Sequence, residues 1–314
     1  EEGTGEAIGK EDLGDERVQI PNGVVDNLAE SEDHAFEMIR RFLSYLPANV
    51  WEMAPHTACA DPVDRRDDWL VEAIPRNKRR VYDTRRIMRA VLDEGSIFEI
   101  APMSGRGTVT ALARVNGYPV GVVANDPKFA GGAMDIIGGG KAGRLAQLCD
   151  IFHLPLVWLA DEPGFHVGSA QEKLGIVRAG ARVVTAFAGT RMPYISFVTR
   201  QLYGVAGGLH IRHSGMYRRY AWPSAHWGSM HIEGGAMVAY KREIQTADDP
   251  DAKRAAIAAR LEEIASPMRS AHAFDVEEIV DPRDTRPLLC EFVEDAQAVL
   301  ATQLGRKAGY GYMP

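Results

Sequence analysis

The stretch with the clearest chemical potential is the glycine-rich turn 203–208, which reads Tyr-Gly-Val-Ala-Gly-Gly. It follows a β-rich run, and a turn that leaves a buried strand to enter a helix aims several unpaired backbone N–H groups at one point. That point can bind an anion, either a phosphate or the negative oxygen that develops on a reacting carbonyl. The spacing is equally compatible with glycines that only permit a tight turn and close packing.

Two nucleotide-binding patterns can be set aside. The glycine run 138–140 before Lys141 looks like a phosphate loop, but Asp135 stands where that loop needs glycine and Ala142 where it needs Ser or Thr. The glycines at 204, 207 and 208 also lack the G-x-G-x-x-G order of a dinucleotide site. The sequence therefore does not indicate either class of nucleotide site.

Four histidines lie close together in the sequence and raise the question of a metal site: His210, His213, His226 and His231. Their spacing resembles a zinc finger only loosely, and no cysteine accompanies them. Separate polar or partly buried rings are the favoured interpretation, so no metal is predicted.

Three carboxylates are candidates for acid–base chemistry. Asp161 lies at the end of a predicted strand before Pro-Gly, where a carboxylate more often satisfies backbone N–H groups than acts as a general base. Glu162 and Glu172 are the other acids close to it in the sequence.

The elements that position these residues follow from hydrophobic periodicity. The apolar run 156–160 predicts a strand, the turn 161–164 ends it, and apolar and small residues recur at helical spacing over 172–188. A second strand is predicted at 194–199. Further predictions are helices from Ser31 to Pro47 and at 84–92, 141–152, 251–265 and 287–301, strands at 97–100 and 278–280, and a hairpin of 109–115 with 119–124. Strands that alternate with helices favour a mixed α/β fold.

Composition limits the class of protein. The 314 residues carry a net charge of −7, which leaves no basic footprint for nucleic acid or an anionic membrane. No apolar run approaches the roughly 20 residues of a membrane span. Cys59, Cys149 and Cys290 lie far apart without metal-type spacing, so a reduced, cytoplasmic protein is predicted.

A series of motifs in a fixed order gives the sequence its resemblance to a known family. They are Asp161-Glu162-Pro163-Gly164-Phe165, Gln171-Glu172, Gly175-Ile176-Val177-Arg178-Ala179-Gly180-Ala181, Arg200 with Tyr203-Gly204-Val205-Ala206-Gly207, and Ala221-Trp222-Pro223-Ser224-Ala225. Further matches are Tyr82-Asp83-Thr84-Arg85-Arg86, residues 117–125, Lys141-Ala142-Gly143-Arg144 and Asp284-Thr285-Arg286. The chain resembles the carboxyltransferase (β) subunit of biotin-dependent acyl-CoA carboxylases.

The resemblance implies an α/β fold of the crotonase type, a ββα superhelix. In that family the subunit has two such halves. Residues 1–80 would be the tail of the N-terminal half plus a linker, and residues 81–314 the C-terminal carboxyltransferase domain. The first half would then be absent from this chain, as in a fragment, a cleaved product or one partner of a split subunit.

The resemblance also implies a reaction: transfer of a carboxyl group from carboxybiotin to the α-carbon of an acyl-CoA, with enolate and ureido oxygens stabilised by backbone N–H groups. The matching positions for the hole that faces biotin are Val205 and Ala206. Substrate contacts would come from Tyr203, Gly204, Gly207, Gly208, Phe165 and Gly164.

Two of these positions bear on the prediction. Where the family often has glycine this chain has Val205, which demands a negative φ and narrows the pocket. In that family the position of Gly208 often discriminates acyl-chain size, and a glycine there implies room for an acyl group larger or more branched than acetyl or propionyl.

The implied partners are a biotin carboxylase and biotin carrier subunit, the N-terminal half of the carboxyltransferase, and further copies in a homo- or hetero-oligomer such as a hexamer. Alternatives remain open. They are a biotin-dependent acyl-CoA decarboxylase or transcarboxylase, a non-catalytic assembly subunit favoured by Val205 and by Gly140 in place of an acidic residue, and a crotonase-type hydratase.

Overall fold

The computed structural model describes residues 5–210, 215–229 and 232–307. A mixed sheet of eight strands forms the centre, in the order β1-β2-β3-β4-β5-β6-β8, with β7 paired to the end of β5. The strands are β1 Phe98–Ile100, β2 Thr108–Val115, β3 Tyr118–Asn125, β4 Leu156–Glu162, β5 Tyr194–Tyr203, β6 Tyr217–Ala221, β7 His226–Gly228 and β8 Glu278–Ile279. The predicted α/β class is confirmed.

Helices cover both faces of this sheet. They are α1 Lys10–Gly14, α2 Glu16–Gln19, α3 Glu32–Leu43, α4 Thr84–Val91, α5 Ile136–Ile151, α6 Ser169–Lys173, α7 Ile176–Ala188, α8 Ile232–Ala239, α9 Lys241–Gln245, α10 Pro250–Ile264, α11 Pro267–His272 and α12 Thr285–Ala301. Short 3-10 turns occur at Asp68–Glu72, Ala130–Gly132, Val205–His210 and Pro282–Asp284. Helices α4 and α12 contribute to the core on one face, and α5 and α7 to the core on the other.

The hairpin of β2 and β3 is confirmed, together with its two-residue turn. Val115 pairs with Tyr118, and both Asn116 (φ 46°) and Gly117 (φ 78°) adopt the left-handed conformation that such turns require. From β3 onward the pairs β3–β4, β4–β5 and β5–β6 are parallel. The carboxyl ends of β3, β4 and β5 therefore lie at one edge of the sheet.

Helix α5 begins earlier than predicted. The sequence placed its start at Lys141, but the helix begins at Ile136 because the Asp135 side chain accepts a hydrogen bond from the Gly138 amide at 2.6 Å. The glycine run 138–140 lies inside the first turns. Gly139 and Gly138 are close to Val183 and Thr108, so small residues allow the helix to pack tightly.

Two other predicted boundaries and one predicted helix face were wrong in part. The helix predicted over 172–188 is split into α6 and α7 by Gly175, whose φ of 84° cannot belong to a right-handed helix. Strand β5 runs to Tyr203 rather than ending at residue 199 because it keeps partners in β4 and β7. On α10, Ile257 is buried, but Ile264, predicted on the same face, is 46% exposed.

The N-terminal part of the chain follows its predicted cap, but α3 ends at Leu43 rather than at Pro47. Ser31 caps α3 by accepting the His34 amide at 3.1 Å, and residues 47–80 contain only one short 3-10 turn. Within the described ranges, no helix has both the length and the apolar character needed to cross a membrane.

The hairpin turn provides a test of the fold. In Gly117→Ala the new Cβ would lie 1.9 Å from the Thr57 carbonyl oxygen, at a positive φ. We expect the free energy of unfolding to fall by about 2–4 kcal/mol, measured by urea denaturation. Gly140→Ala is the matched control, because Gly140 lies in α5 with open space around its Cβ position. That variant should gain about 0.5–1 kcal/mol, and an equal loss in both variants would contradict the strain argument.

Candidate functional site

The turn at the end of β5 carries two backbone amides without a hydrogen-bond partner among the described residues. Gly204 has a φ of 64°, and its amide donates to the Gly228 carbonyl at 3.0 Å, while the Gly207 amide donates to the Gly204 carbonyl at 3.1 Å. In the described part of the chain, the amides of Val205 and Ala206 make no hydrogen bond. These are the first two residues of the 3-10 turn, and such positions lack an acceptor inside the turn.

The residues of this turn differ in how far they are exposed to solvent. Ala206 is buried, whereas the Val205 side chain is 74% exposed, and Val205 is absent from the described non-glycine residues with positive φ. Tyr203 is buried, and desolvation raises the pKa of its hydroxyl to about 12. A Cβ added at Gly208 would meet no atom of the described residues within 4 Å. Within the part of the chain that the structure describes, space is therefore open beside Gly208.

A second turn, after β4, lies beside the first, because β4 and β5 are adjacent parallel strands. Gly164 has a φ of 115°, and its carbonyl accepts the Met134 amide at 3.1 Å, while the His166 amide donates to the Met134 carbonyl at 2.9 Å. These bonds hold Phe165 so that its ring packs on α7. A Cβ built at Gly180 would lie 3.1 Å from that ring, so the helix can come close because residue 180 is a glycine.

Between this second turn and α7 runs a cavity of about 510 Å³, here called the α7 groove. Its walls are mainly apolar and include Phe165, Val167, Ile176, Ala181, Val184 and Val205, with Glu172 beside them. The structure thus brings Phe165 and Val205 into one groove although 40 positions separate them in the sequence. The groove can take a flat or apolar group, and the amide of Val205 belongs to one of its lining residues.

Asp161 is fully committed to buried contacts. It forms an ion pair with Arg200 at 2.8 Å and accepts hydrogen bonds from the Tyr82 hydroxyl at 2.9 Å and the Gln201 amide at 3.2 Å. A structural carboxylate was the favoured interpretation of the sequence. Its partners lie on β5 and at Tyr82, so it ties strands together.

Glu162, the next residue, is fully buried with neutral donors around it. Its two oxygens accept hydrogen bonds from the Asn125 side-chain amide at 2.7 Å and the Gly164 amide at 3.1 Å. Desolvation raises the pKa of its carboxyl from 4.5 to about 8. The folded state therefore holds this proton more tightly than the unfolded chain, and the resulting stability is lost as the pH rises from about 4.5 to about 8. Glu162 does not line the α7 groove, whereas Glu172 does.

The histidines that raised the question of a metal are used in other ways. His210 is buried, and its Nδ1 lies 3.0 Å from the Ser196 hydroxyl and 3.2 Å from that of Tyr194. Burial lowers the pKa of His210 to about 3, so its ring is neutral. His226 contacts the Ser224 carbonyl, and His213 and His231 lie outside the described residues. In the described ranges no metal-type group of three ligands contains a histidine.

One metal-type grouping does occur, at Cys59, Asp61 and Asp93, and it was missed in the sequence because the three residues are dispersed. A guanidinium already supplies the cation there. Arg286 forms an ion pair with Asp93 at 3.0 Å and lies 3.4 Å from the Asp61 carbonyl oxygen and 3.9 Å from the Cys59 sulfur.

Comparison with known proteins gives one consistent result. The family model described as "Carboxyl transferase domain" matches residues 1–305. The chain is 34% identical, over 98% of its length, to the carboxyltransferase subunit of propionyl-CoA carboxylase from Haloferax mediterranei. It is also 35% identical, again over 98% of its length, to the methylmalonyl-CoA carboxyltransferase 12S subunit of Propionibacterium freudenreichii subsp. shermanii. It covers 60% and 59% of those two relatives, so it spans about three fifths of their length.

Solved structures agree. A transcarboxylase 12S structure, described as a hexamer with methylmalonyl-coenzyme A and methylmalonic acid bound, matches with a TM-score of 0.89 at 33% identity; the match covers all of this chain and 60% of that one. A single-chain, multi-domain long-chain acyl-CoA carboxylase matches with a TM-score of 0.74 at 29% identity, over 91% of this chain and 28% of that one.

The ion pair of Asp161 gives a stability test. Asp161→Asn leaves the Arg200 guanidinium buried without its counter-charge, so the free energy of unfolding should fall by about 3–5 kcal/mol in denaturant titrations. The control Asp284→Asn removes a carboxylate from Arg66, in a pair whose two side chains are 48% and 41% exposed, and should cost less than about 1 kcal/mol. A loss below 1 kcal/mol in Asp161→Asn would contradict the assignment.

Proposed function

The chain belongs to the carboxyl transferase domain family and has its crotonase-like fold, and from this premise we propose that it forms the biotin-facing half of an acyl-CoA carboxyltransferase. The observation that carries the proposal is the pair of unpaired amides at Val205 and Ala206, beside an apolar groove. Backbone N–H donors that have no internal acceptor are suited to an oxygen on which negative charge develops.

Biotin and acyl-CoA fit the residues present. The ureido ring of biotin has a carbonyl oxygen for the two amides and an apolar body for the groove, whose walls include Phe165 and Val205. Carboxybiotin, when bound, would supply the carboxyl group. Once the carboxyl group has left, the biotin ring that remains would supply the base for the α-proton. The roles left for this chain are to hold a charge-bearing oxygen with main-chain N–H groups, to exclude water with apolar walls, and to orient the ring.

Main-chain donors explain why no side-chain acid or base is needed here. Asp161 and Glu162 are engaged in buried hydrogen bonds and do not line the groove. A hydratase would use carboxylates directed at the thioester, and of the two acids that the sequence suggested only Glu172 lines the groove. The arrangement favours carboxyl transfer over hydration.

The direction of the reaction and the acyl group are the finer parts of the proposal. The relatives include a propionyl-CoA carboxylase subunit, a methylmalonyl-CoA carboxyltransferase and the methylmalonyl-CoA decarboxylase subunit alpha of Veillonella parvula. All three names involve a short branched or linear acyl-CoA. We propose an acyl group larger or more branched than acetyl or propionyl, because the space beside Gly208 is open among the described residues.

Partners belong to the same proposal. The chain spans about three fifths of its relatives' length, so the acyl-CoA-facing half would be supplied by a further carboxyltransferase segment, and carboxybiotin by a biotin carboxylase and carrier subunit. The hexamer reported for a transcarboxylase relative supports an oligomer. A cytoplasmic location stays a prediction from the sequence. The alternative of a non-catalytic assembly subunit rested on Val205 and on Gly140 in place of an acidic residue. A valine at 205 keeps the main-chain donor, and Gly140 lies in α5 and does not line the groove.

Removing one amide tests the proposed oxyanion hole. Val205→Pro deletes the N–H at the first residue of the 3-10 turn, a position where proline is tolerated. We expect kcat for carboxyl transfer in the assembled enzyme to fall about 100- to 1000-fold. Val205→Ala is the control, because it trims the side chain and keeps the donor. Equal activity of the two variants, with unchanged thermal unfolding, would rule out a catalytic role for this amide.

Filling the space at residue 208 tests the acyl site. Gly208→Val should lower kcat/KM for butyryl-CoA relative to acetyl-CoA by about tenfold or more, because the added side chain occupies the room that a longer acyl group needs. Gly140→Ala, remote from the turn, should leave the ratio unchanged. An unaltered ratio in Gly208→Val would place the acyl group elsewhere.

A further inference from the structure

A chain of buried hydrogen bonds links the core of the sheet to the wall of the α7 groove. Its centre is Asn125, at the end of β3. The Asn125 side-chain oxygen accepts the indole N–H of Trp158 and the amide of Asp161, both at 3.2 Å. Its side-chain nitrogen donates to the Gly132 carbonyl at 3.1 Å and to Glu162 at 2.7 Å. All four hydrogen-bonding directions of this amide are used, so its orientation is fixed.

Glu162 connects this hydrogen-bond network to the turn that lines the α7 groove. One of its oxygens is held by Asn125, and the other accepts the amide of Gly164 at 3.1 Å. Gly164 starts the turn that contains Phe165 and Val167, both of which line the groove. The position of this wall therefore depends on a carboxyl group that does not itself reach the groove.

We propose that Glu162 is a positioning residue of the α7 groove: anchored by Asn125, it holds the Gly164 amide, and it holds it more strongly as the carboxylate than as the acid. The proposed function enters only in calling the groove a ligand site. The geometry of the turn does not depend on it.

Among the described residues, no positively charged side chain forms an ion pair with Glu162, although Asp161 beside it is paired with Arg200. The other charged or titratable groups on the neighbouring elements are engaged with each other or lie on the turn itself: Tyr82 with Asp161, Arg85 with Asp126, Asp135 with the Gly138 amide, and His166 in the turn. Within the described part of the chain, neutral donors alone hold the carboxyl, namely the side-chain amide of Asn125 and the main-chain amide of Gly164.

This isolation makes the turn sensitive to one proton. Burial raises the pKa of Glu162 to about 8, so the carboxyl changes from acid to carboxylate near neutral to mildly alkaline pH. Hydrogen bonds to an ionised acceptor are roughly twice as strong as those to a neutral one. The Gly164–Val167 wall should therefore be more firmly placed above pH 8 than below it, while the fold as a whole is more stable with the proton bound.

The test measures groove occupancy as a function of pH with a neutral apolar probe, N-phenyl-1-naphthylamine, followed by its fluorescence. Fluorescence from probe bound in the groove is defined as the part of the signal that is lost in Ala181→Trp, because the tryptophan side chain would fill the groove. We expect the wild-type affinity at pH 9.5 to exceed that at pH 6.5 by about fivefold. Glu162→Gln should show equal affinities at the two pH values, because it has no proton to lose.

Glu172→Gln is the matched control, since it removes the same charge from the groove itself without touching the turn. It should keep the wild-type ratio of affinities. A wild-type ratio of one, or an unchanged ratio in Glu162→Gln, would overturn the proposal.

A second measurement keeps the test decisive if Glu162→Gln does not fold. Hydrogen exchange of the wild-type peptide 163–168, corrected for intrinsic rates, should be about fivefold slower at pH 8.5 than at pH 6.5. Equal corrected rates would also overturn the proposal. Neither measurement requires carboxyl transfer, so an inactive wild-type enzyme would remove the proposed function and leave this inference standing.

Discussion

The structure depends on the rule that a buried polar group must find a partner. At the carboxyl ends of β3, β4 and β5 this rule applies to Asn125, Asp161 and Arg200, all with side chains almost completely removed from water. Asp161 satisfies Arg200 and the Gln201 amide, and Asn125 satisfies Trp158 and Glu162. These contacts cross from strand to strand, so they fix the edge of the sheet from which the two functional turns emerge.

The two turns then perform opposite tasks. After β4, the amides of Gly164 and His166 both donate hydrogen bonds, and this turn forms a wall of the α7 groove. After β5, Gly204 reverses the chain and leaves the amides of Val205 and Ala206 unengaged. A main-chain N–H group can donate a hydrogen bond whichever side chain its residue carries, proline excepted. That explains how a chain with few acid–base candidates near its groove can still suit a reaction in which oxygen atoms gain charge.

Much of the fold could be predicted from local sequence signals, whereas contacts between residues far apart in the sequence could be seen only in the structure. The Asn116-Gly117 hairpin and the Ser31 cap follow from residue type and position alone. The early start of α5 was also readable, because Asp135 is a good capping residue, but the glycines behind it suggested a loop. The unpaired amides at 205 and 206 were inferred through a family resemblance. The Cys59–Arg286 contact joins residues more than two hundred positions apart, and no local pattern encodes it.

Arg286 shapes what can be done with this chain in the laboratory. Its guanidinium binds the Pro62 carbonyl at 2.9 Å, while Arg65 donates to the Ala90 and Leu92 carbonyls at the end of α4. These hydrogen bonds attach the stretch 47–80, almost without regular structure, to helices α4 and α12. An engineer who shortened the chain to begin at residue 81 would strip acceptors from a buried cation and expose the end of a helix. Design boundaries for recombinant pieces should therefore be drawn ahead of residue 47.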